Sequence, residues 1–221
     1  QFVASLSGRW DPRDHLVLWL IGAKSRLGFP RLHSDVFLTH PLVRPASDEH
    51  RHESWRVMAG ALGINLPPAE GLPLASKAPA EQVLIHTGAA QPVRVWPLER
   101  YASLVRRLRR QHYQGRVACD PDQRGWWLES GETEVAVPRN ASELLALMDA
   151  SGAFIGNDSG PAHLAALCGV PTFTLFGPQL PEWFAPLHPQ GEWIEGKACP
   201  YKPCSDYCRF AVPYCMANIG D

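Results

Sequence analysis

The sequence predicts an α/β protein whose main domain is a doubly wound parallel sheet. Short apolar runs rich in strand-forming residues alternate with segments of helical periodicity four times over about 95 residues. That alternation is typical of βαβ units. Because ligands of such sheets bind beyond the carboxyl ends of the strands, the loops that follow the apolar runs are where a functional site is expected.

Composition excludes several other classes of protein. The chain has 221 residues with 21 basic and 22 acidic side chains, a net charge of -1, 45% hydrophobic residues and 19% charged residues. These values are those of an ordinary globular protein and not of a disordered chain, a coiled coil or a highly charged nucleic-acid binder, so no nucleic-acid partner is predicted. The longest apolar run, residues 16–21, is too short to cross a bilayer.

The first half of the sheet is predicted from two strand–helix pairs. A strand over residues 83–87 is followed by a helix in which Leu98, Tyr101 and Val105 share one face. The next strand covers residues 116–119, and a short helix follows around residues 123–129.

The second half repeats the alternation. A strand is predicted over residues 134–137, then a helix that begins at Asn140, with Glu143 three residues later as in a capping box. Strand 153–156, helix 161–167 (ended by Gly169) and strand 172–176 complete the pattern.

The remaining segments are less regular. Residues 1–65 hold a strand or helix at 16–21 and a helix at 49–62, too few strands for a full α/β domain. Proline-rich residues 66–80 are predicted to be a linker, residues 81–185 the main domain, and residues 186–221 a cysteine-rich tail. Gln1-Phe2-Val3 follows no initiator Met or signal pattern, so we expect the chain to begin within a longer protein.

The loop after the fourth predicted strand is the most informative segment. An apolar strand leads into Asp158, Ser159 and Gly160, then into a helix with proline at its start. Free N–H groups at a helix start bind anions, and Ser159 adds a hydroxyl. Asp158 is suited to sugar hydroxyls or to the helix N–H groups, and His163, one turn into the helix, could face the same anion. The alternatives are that Asp158 or Ser159 only caps the helix and that His163 only packs.

The loop after the first predicted strand offers a second anion contact. Thr87 and Gly88 end that strand, and Arg94 carries a guanidinium suited to phosphate oxygens. If the two loops converge, they form a diphosphate site; otherwise Arg94 is a solvated loop charge.

These two segments resemble glycosyltransferase family 9, the ADP-heptose:lipopolysaccharide heptosyltransferases. The resemblance rests on residues 86–89 with 94–97, on 156–166, on 169–172 and on 175–178, and the tail from 199 to 219 resembles the family's cysteine-rich ending. It covers residues 80–219 well and extends weakly into 1–65 through residues 22–29.

The resemblance implies a GT-B architecture, two Rossmann-like domains of which the first is only partly present. It implies a C-terminal donor domain in which Thr87, Gly88, Arg94 and His163, with the loop 158–160, bind a nucleotide-diphospho sugar, most simply ADP-heptose. Asp122 matches the acidic residue for the ribose hydroxyls, with Asp120 as a competitor.

The resemblance also implies the reaction. The sugar passes, with inversion and without a metal or other cofactor, to a lipopolysaccharide-core or other glycan or lipid-linked acceptor. It implies a cytoplasmic enzyme with peripheral contact at the inner membrane. Its catalytic base would lie in the first domain, and residues 1–65 offer no candidate, so we expect donor binding but poor transfer. One departure is Gln179-Leu180, where the family usually has threonine.

Four of the six cysteines lie in the tail, at Cys199, Cys204, Cys208 and Cys215. Thiolates at this C-x4-C-x3-C-x6-C spacing can hold structural zinc or iron. Reduced thiols and, less readily in a cytosolic protein, disulfides are the alternatives. The cysteine cluster makes a non-catalytic metal-binding or assembly module one competing function. The other competing function is another GT-B enzyme, such as a nucleotide-sugar epimerase.

Overall fold

A computed structural model describes residues 2–4, 12–75, 80–204 and 207–220 of the chain. The chain divides into two compact units, Gln1–Leu72 and Pro73–Asp221. The boundary lies inside the predicted linker, of which residues 76–79 fall outside the described residues.

The first unit contains a small parallel sheet. Its strands are β1 (Phe2–Ala4), β2 (Ser25–Gly28) and β3 (His40–Pro41), in the order β1-β2-β3. Helix α1 (Pro12–Leu20) links β1 to β2, so the ambiguous apolar run at 16–21 is largely helical. Helix α2 (Arg51–Ala61) confirms the helix predicted at 49–62.

The second unit is built on a five-stranded parallel sheet of order β5-β4-β6-β7-β8. This confirms the predicted α/β fold with a parallel sheet. The strands are β4 (Gln82–His86), β5 (Gln114–Ala118), β6 (Ala153–Asn157), β7 (Thr172–Phe176) and β8 (Glu192–Glu195). The helices are α3 (Leu98–Arg110), α4 (Arg124–Glu129), α5 (Ala141–Asp149), α6 (Gly160–Leu167), α7 (Pro181–Phe184) and α8 (Tyr214–Ala217).

Both faces of this sheet are covered. Successive side chains of a strand point to opposite faces, so Ile85 and Leu84 enter different cores. Ile85 lies with buried residues of α3, α4 and α8, whereas Leu84 lies with buried residues of α5 and α6. Helices on both faces are what a doubly wound sheet requires.

Helix ends follow the sequence signals. The Asn140 side chain accepts a hydrogen bond from the Glu143 N–H at 3.0 Å, which confirms the predicted start of α5. Gly169 follows α6 with φ +72°, a left-handed conformation that favours glycine and ends a helix.

One predicted strand was wrong, and one strand of the sheet was not predicted. The strand predicted at 134–137 forms only one bridge, between Ala118 and Ala136, and Pro138 follows at once with no N–H to extend the pairing. The tail from 186 onward, in contrast, is part of the sheet and core: it supplies β8, and Cys215, Met216 and Ile219 are buried in one core cluster.

Candidate functional site

The carboxyl ends of β5, β4 and β6 border a cavity of about 400 Å³. Neighbouring parallel strands end at one edge of the sheet, so the loops after them converge there. The cavity is lined by His86, Gly88, Ala89, Ala90, Asp120, Pro138, Arg139, Asn140, Leu144, Ser159, Gly160 and Pro161. Of the predicted donor-binding residues, it therefore includes Gly88, Ser159 and Gly160.

Gly88 and Asp120 fit tightly against each other. A Cβ atom at position 88 would lie 2.1 Å from Asp120 Oδ2, so only glycine leaves room for the carboxylate in its present position. Asp120 lines the cavity, whereas Asp122 is exposed in the short turn Pro121–Gln123 and does not. The acidic residue in the cavity is therefore Asp120, which the sequence analysis gave as the competitor of Asp122.

The side chain of Thr87 is not at the cavity. Its hydroxyl donates to Gln123 Oε1 at 2.8 Å and accepts from Trp127 Nε1 at 3.3 Å, and the residue is fully buried. Because the hydroxyl is used inside the core, the Thr87 side chain supports the fold beneath the cavity and does not face it.

Asn157, the last residue of β6, ties the two predicted loops together. Its Nδ2 donates to the carbonyl oxygens of Thr87 (2.9 Å) and Gly88 (3.3 Å). Its Oδ1 accepts from the Trp96 N–H (3.0 Å) and the Tyr101 hydroxyl (2.9 Å). The fully buried amide thus uses both donors and both acceptor positions to hold the first loop against β6.

Arg94 and Asp158 meet where these loops converge. Arg94 Nη1 lies 3.2 Å from Asp158 Oδ2, and the Asp158 side chain is only 4% exposed. Burial raises the pKa of Asp158 from 3.8 to about 6, although the positive charges of Arg94 and Lys202 act to lower it. The Nε of Arg94 is buried with no hydrogen-bond partner among the described residues, so this guanidinium has a donor to offer an anion.

The start of α6 lies at the same edge of the sheet as the cavity. Ser159 is the residue before the helix and makes no capping bond with its side chain; instead its hydroxyl donates to the Asn157 carbonyl at 3.1 Å. Simple capping by Ser159 is therefore wrong. Gly160 is exposed at the first turn, and His163 is half-buried one turn further along.

His86 is a cavity residue that the sequence analysis did not select. It is 4% exposed, and its Nδ1 has no hydrogen-bond partner among the described residues. Burial lowers the pKa of His86, against the opposing effect of Asp120, so it is neutral near pH 7. Its position at the end of a buried strand, two residues before Gly88, was the available signal.

A metal site at the four tail cysteines stays a prediction. Across residues 2–4, 12–75, 80–204 and 207–220, no group of three or more His, Cys, Asp or Glu is placed to hold a metal ion. All four thiols are free, and Cys215 is buried in the apolar core.

No helix within the described part of the chain has both the length and the apolar character needed to cross a membrane.

Comparison with known proteins places this geometry in a family. The profile of glycosyltransferase family 9 (heptosyltransferase) matches residues 16–211. A comparison with curated protein sequences gives no significant match.

Solved structures share the fold at low sequence identity. The E. coli ADP-heptose lipopolysaccharide heptosyltransferase II superposes with a TM-score of 0.61 at 20% identity, over 87% of this chain and 67% of its own. The E. coli heptosyltransferase WaaC with ADP gives 0.62 at 18%, over 92% and 68%. A family 9 glycosyltransferase from Veillonella parvula gives 0.63 at 21%, over 86% and 62%.

The chain thus spans roughly two thirds of the length of these structures. A family profile that matches nearly the whole chain, on a parallel sheet of the same fold, decides the family. This protein belongs to glycosyltransferase family 9, the heptosyltransferase family.

Proposed function

We propose that the protein takes part in the transfer of a heptose from ADP-heptose to a lipopolysaccharide-core or other glycan acceptor. Family membership supports sugar transfer, and two of the structural relatives are named for ADP-heptose or ADP. The observation that carries the proposal is the cavity at the sheet edge, which is flanked by the start of α6 and by Arg94.

The cavity suits a nucleoside. Pro138 and Leu144 give it an apolar wall for the base, and the Asp120 carboxylate is an acceptor for the vicinal hydroxyls of a ribose. The tight contact between Gly88 and Asp120 keeps that carboxylate in the cavity. Asp122, which the sequence favoured for this role, is replaced by Asp120 in the proposal.

The diphosphate is assigned to the start of α6. The exposed Gly160 lets a phosphate approach the backbone, and the positive end of the helix dipole favours its charge. The guanidinium of Arg94 supplies a full positive charge next to the loop, and the Ser159 hydroxyl would reach a phosphate by leaving the Asn157 carbonyl to which it donates in the ligand-free protein. His163 is placed one turn away on the same helix and is assigned to the same subsite.

These groups also define how the reaction is assisted. As the bond from sugar to phosphate breaks, negative charge grows on the departing diphosphate, and Arg94 and the helix start stabilise it without a metal ion. Attack by an acceptor hydroxyl from the opposite face inverts the anomeric carbon. We place this chemistry in the cytoplasm, at the inner face of the membrane that holds a lipid-linked acceptor.

Calorimetric titration with ADP tests the proposal. The protein is expected to bind ADP, and Arg94→Ala is expected to weaken binding at least tenfold, because a hydrogen bond to a charged group contributes about 1.5–3 kcal/mol. Arg110→Ala, which removes an exposed arginine at the far end of α3, is the matched control and should leave affinity unchanged. A folded protein that does not bind ADP, or equal losses in both variants, would overturn the assignment.

A further inference from the structure

The cysteine-rich tail docks on the same edge of the sheet as the candidate donor site. Glu195 ends β8 in register with Phe176, the last residue of β7, and the Gly196 N–H donates to the Phe176 carbonyl at 3.3 Å. Further along, the Cys204 N–H donates to the Pro178 carbonyl at 3.1 Å. The tail is therefore fastened to the loop after β7 at two points.

Lys202 lies between these two attachments. Its Nζ is 3.2 Å from Glu195 Oε2, and its side chain is only 10% exposed. Its own N–H donates to the Cys199 carbonyl at 3.1 Å, which holds the backbone in a turn. A strongly hydrated ammonium group is costly to bury. Pairing with the half-exposed Glu195 carboxylate offsets only part of the cost of enclosing Lys202 at the edge where ligands bind.

Arg94 and Lys202 are held on opposite sides of β6 in the strand order, and both act electrostatically on Asp158. Arg94 follows β4, which borders β6 on one side, whereas Lys202 is held at the ends of β7 and β8 on the other side. Both positive charges act to lower the pKa of Asp158 against the effect of its burial. The buried carboxylate at the end of β6 is thus paired directly with Arg94, and Lys202 is a second positive charge at the same edge of the sheet.

The order of the strands gives the direction in which a donor would lie. The nucleoside cavity is bordered by β5, β4 and β6, the start of α6 follows β6, and Lys202 stands over β7 and β8. Adjacent strands are roughly 4.8 Å apart, so an extended nucleotide sugar that starts in the cavity reaches Lys202 with its sugar-bearing phosphate.

We propose that Lys202 is a second cation of the donor site and that it contacts the phosphate to which the sugar is attached. This inference rests on the proposed function. It assigns the tail a binding role. The tail supplies the diphosphate with a second positive charge, in addition to that of Arg94 in the loop after β4. Arg94 and Lys202 then hold the diphosphate from two sides.

Comparison of ADP with AMP tests this contact, because AMP lacks the second phosphate. Lys202→Met is expected to weaken ADP binding roughly tenfold or more and to leave AMP affinity within about twofold. Lys197→Met is the matched control, an exposed lysine of the same tail, and should affect neither ligand. Thermal unfolding of each variant verifies that the tail and sheet remain folded.

In Lys202→Met the Glu195 carboxylate loses its partner and could itself repel the phosphates. A second variant separates this repulsion from the loss of the ammonium group. Glu195→Gln combined with Lys202→Met removes both members of the pair and should retain the loss for ADP; recovery of wild-type affinity would overturn the proposal. Equal ADP affinity in wild type and Lys202→Met, or equal losses for ADP and AMP, would overturn it while leaving the proposed function standing. A wild-type protein that binds neither ligand would overturn both.

Discussion

Replacing Asp158 by asparagine is expected to stabilise the ligand-free protein at alkaline pH and to have less effect in acid. The Asp158 carboxyl is 4% exposed, and burial raises its pKa from 3.8 to about 6 in spite of Arg94 and Lys202. The folded protein therefore binds this proton more tightly than the unfolded chain does. The stability that the proton contributes is complete below pH 3.8 and is lost as the pH rises through about 6.

The size of the effect follows from the shift in pKa. A rise of roughly two pKa units corresponds to about 3 kcal/mol of unfolding free energy. About 1 kcal/mol of this has already been lost at pH 4.5, so about 2 kcal/mol is lost between pH 4.5 and pH 8. The attraction of Arg94 is already part of this difference, because it lowers the pKa of Asp158 to the value of about 6.

Urea unfolding at the two pH values measures this difference. Asparagine does not titrate, so the unfolding free energy of Asp158→Asn relative to wild type should increase by about 2 kcal/mol from pH 4.5 to pH 8. The buried Trp96 and Trp127 report unfolding of the second unit by fluorescence, and circular dichroism provides a second probe. Asp122→Asn, an exposed carboxylate, is the control. A relative stability that stays constant or decreases toward pH 8 would refute the reasoning.

Three further predictions concern ligand binding measured by calorimetry. Asp120→Ala is expected to weaken ADP binding about tenfold, because the ribose loses its acceptor, and Asp122→Ala to change it less than twofold; equal effects would contradict the assignment. Gly88→Ala should lower ADP affinity in a folded protein, because the new Cβ would lie 2.1 Å from Asp120 Oδ2 and displace that carboxylate; unchanged affinity would show that the close fit is unnecessary. At pH 7, ADP binding should take up more protons in wild type than in Asp158→Asn, because phosphates that engage Arg94 further raise the Asp158 pKa of about 6. Proton uptake is measured by repeating the titration in buffers of different ionisation enthalpy. Equal uptake by the two proteins would contradict this prediction.

The parts of the fold that the sequence predicted are those in which local pattern and tertiary packing agree. β4, β6 and β7 are apolar runs that end in polar or glycine-rich turns, and all three are central strands of the sheet. β8 was missed because it is an edge strand with all four of its residues exposed, so burial leaves no pattern in its sequence. Residues 134–137 show the opposite error, a strand-like pattern that Pro138 limits to one bridge.

The site was predictable to the extent that it is local in sequence. Ser159, Gly160 and Arg94 belong to motifs that can be read in one stretch, and the structure brings their loops together. The choice between Asp120 and Asp122 depends on the geometry of a single turn, which spacing does not specify. Lys202 lies far along the chain from both motifs, and only the docking of the tail brings it to the same edge.

Asn157 and Asp158 show how one strand end can organise a site and also leave it ready for a ligand. Both side chains are buried, but Asn157 uses its full hydrogen-bonding capacity within the protein, which fixes the loop after β4 at no cost in unmet partners. Asp158, one residue later, is paired with Arg94, feels the positive charge of Lys202 as well, and still has its pKa raised by burial. Its charge is therefore incompletely compensated in the ligand-free protein, and the two cations gain a second negative partner when a diphosphate enters. Before the donor binds, Asp158 holds Arg94 and Glu195 holds Lys202, and the neutral amide of Asn157 keeps the loop after β4 rigid.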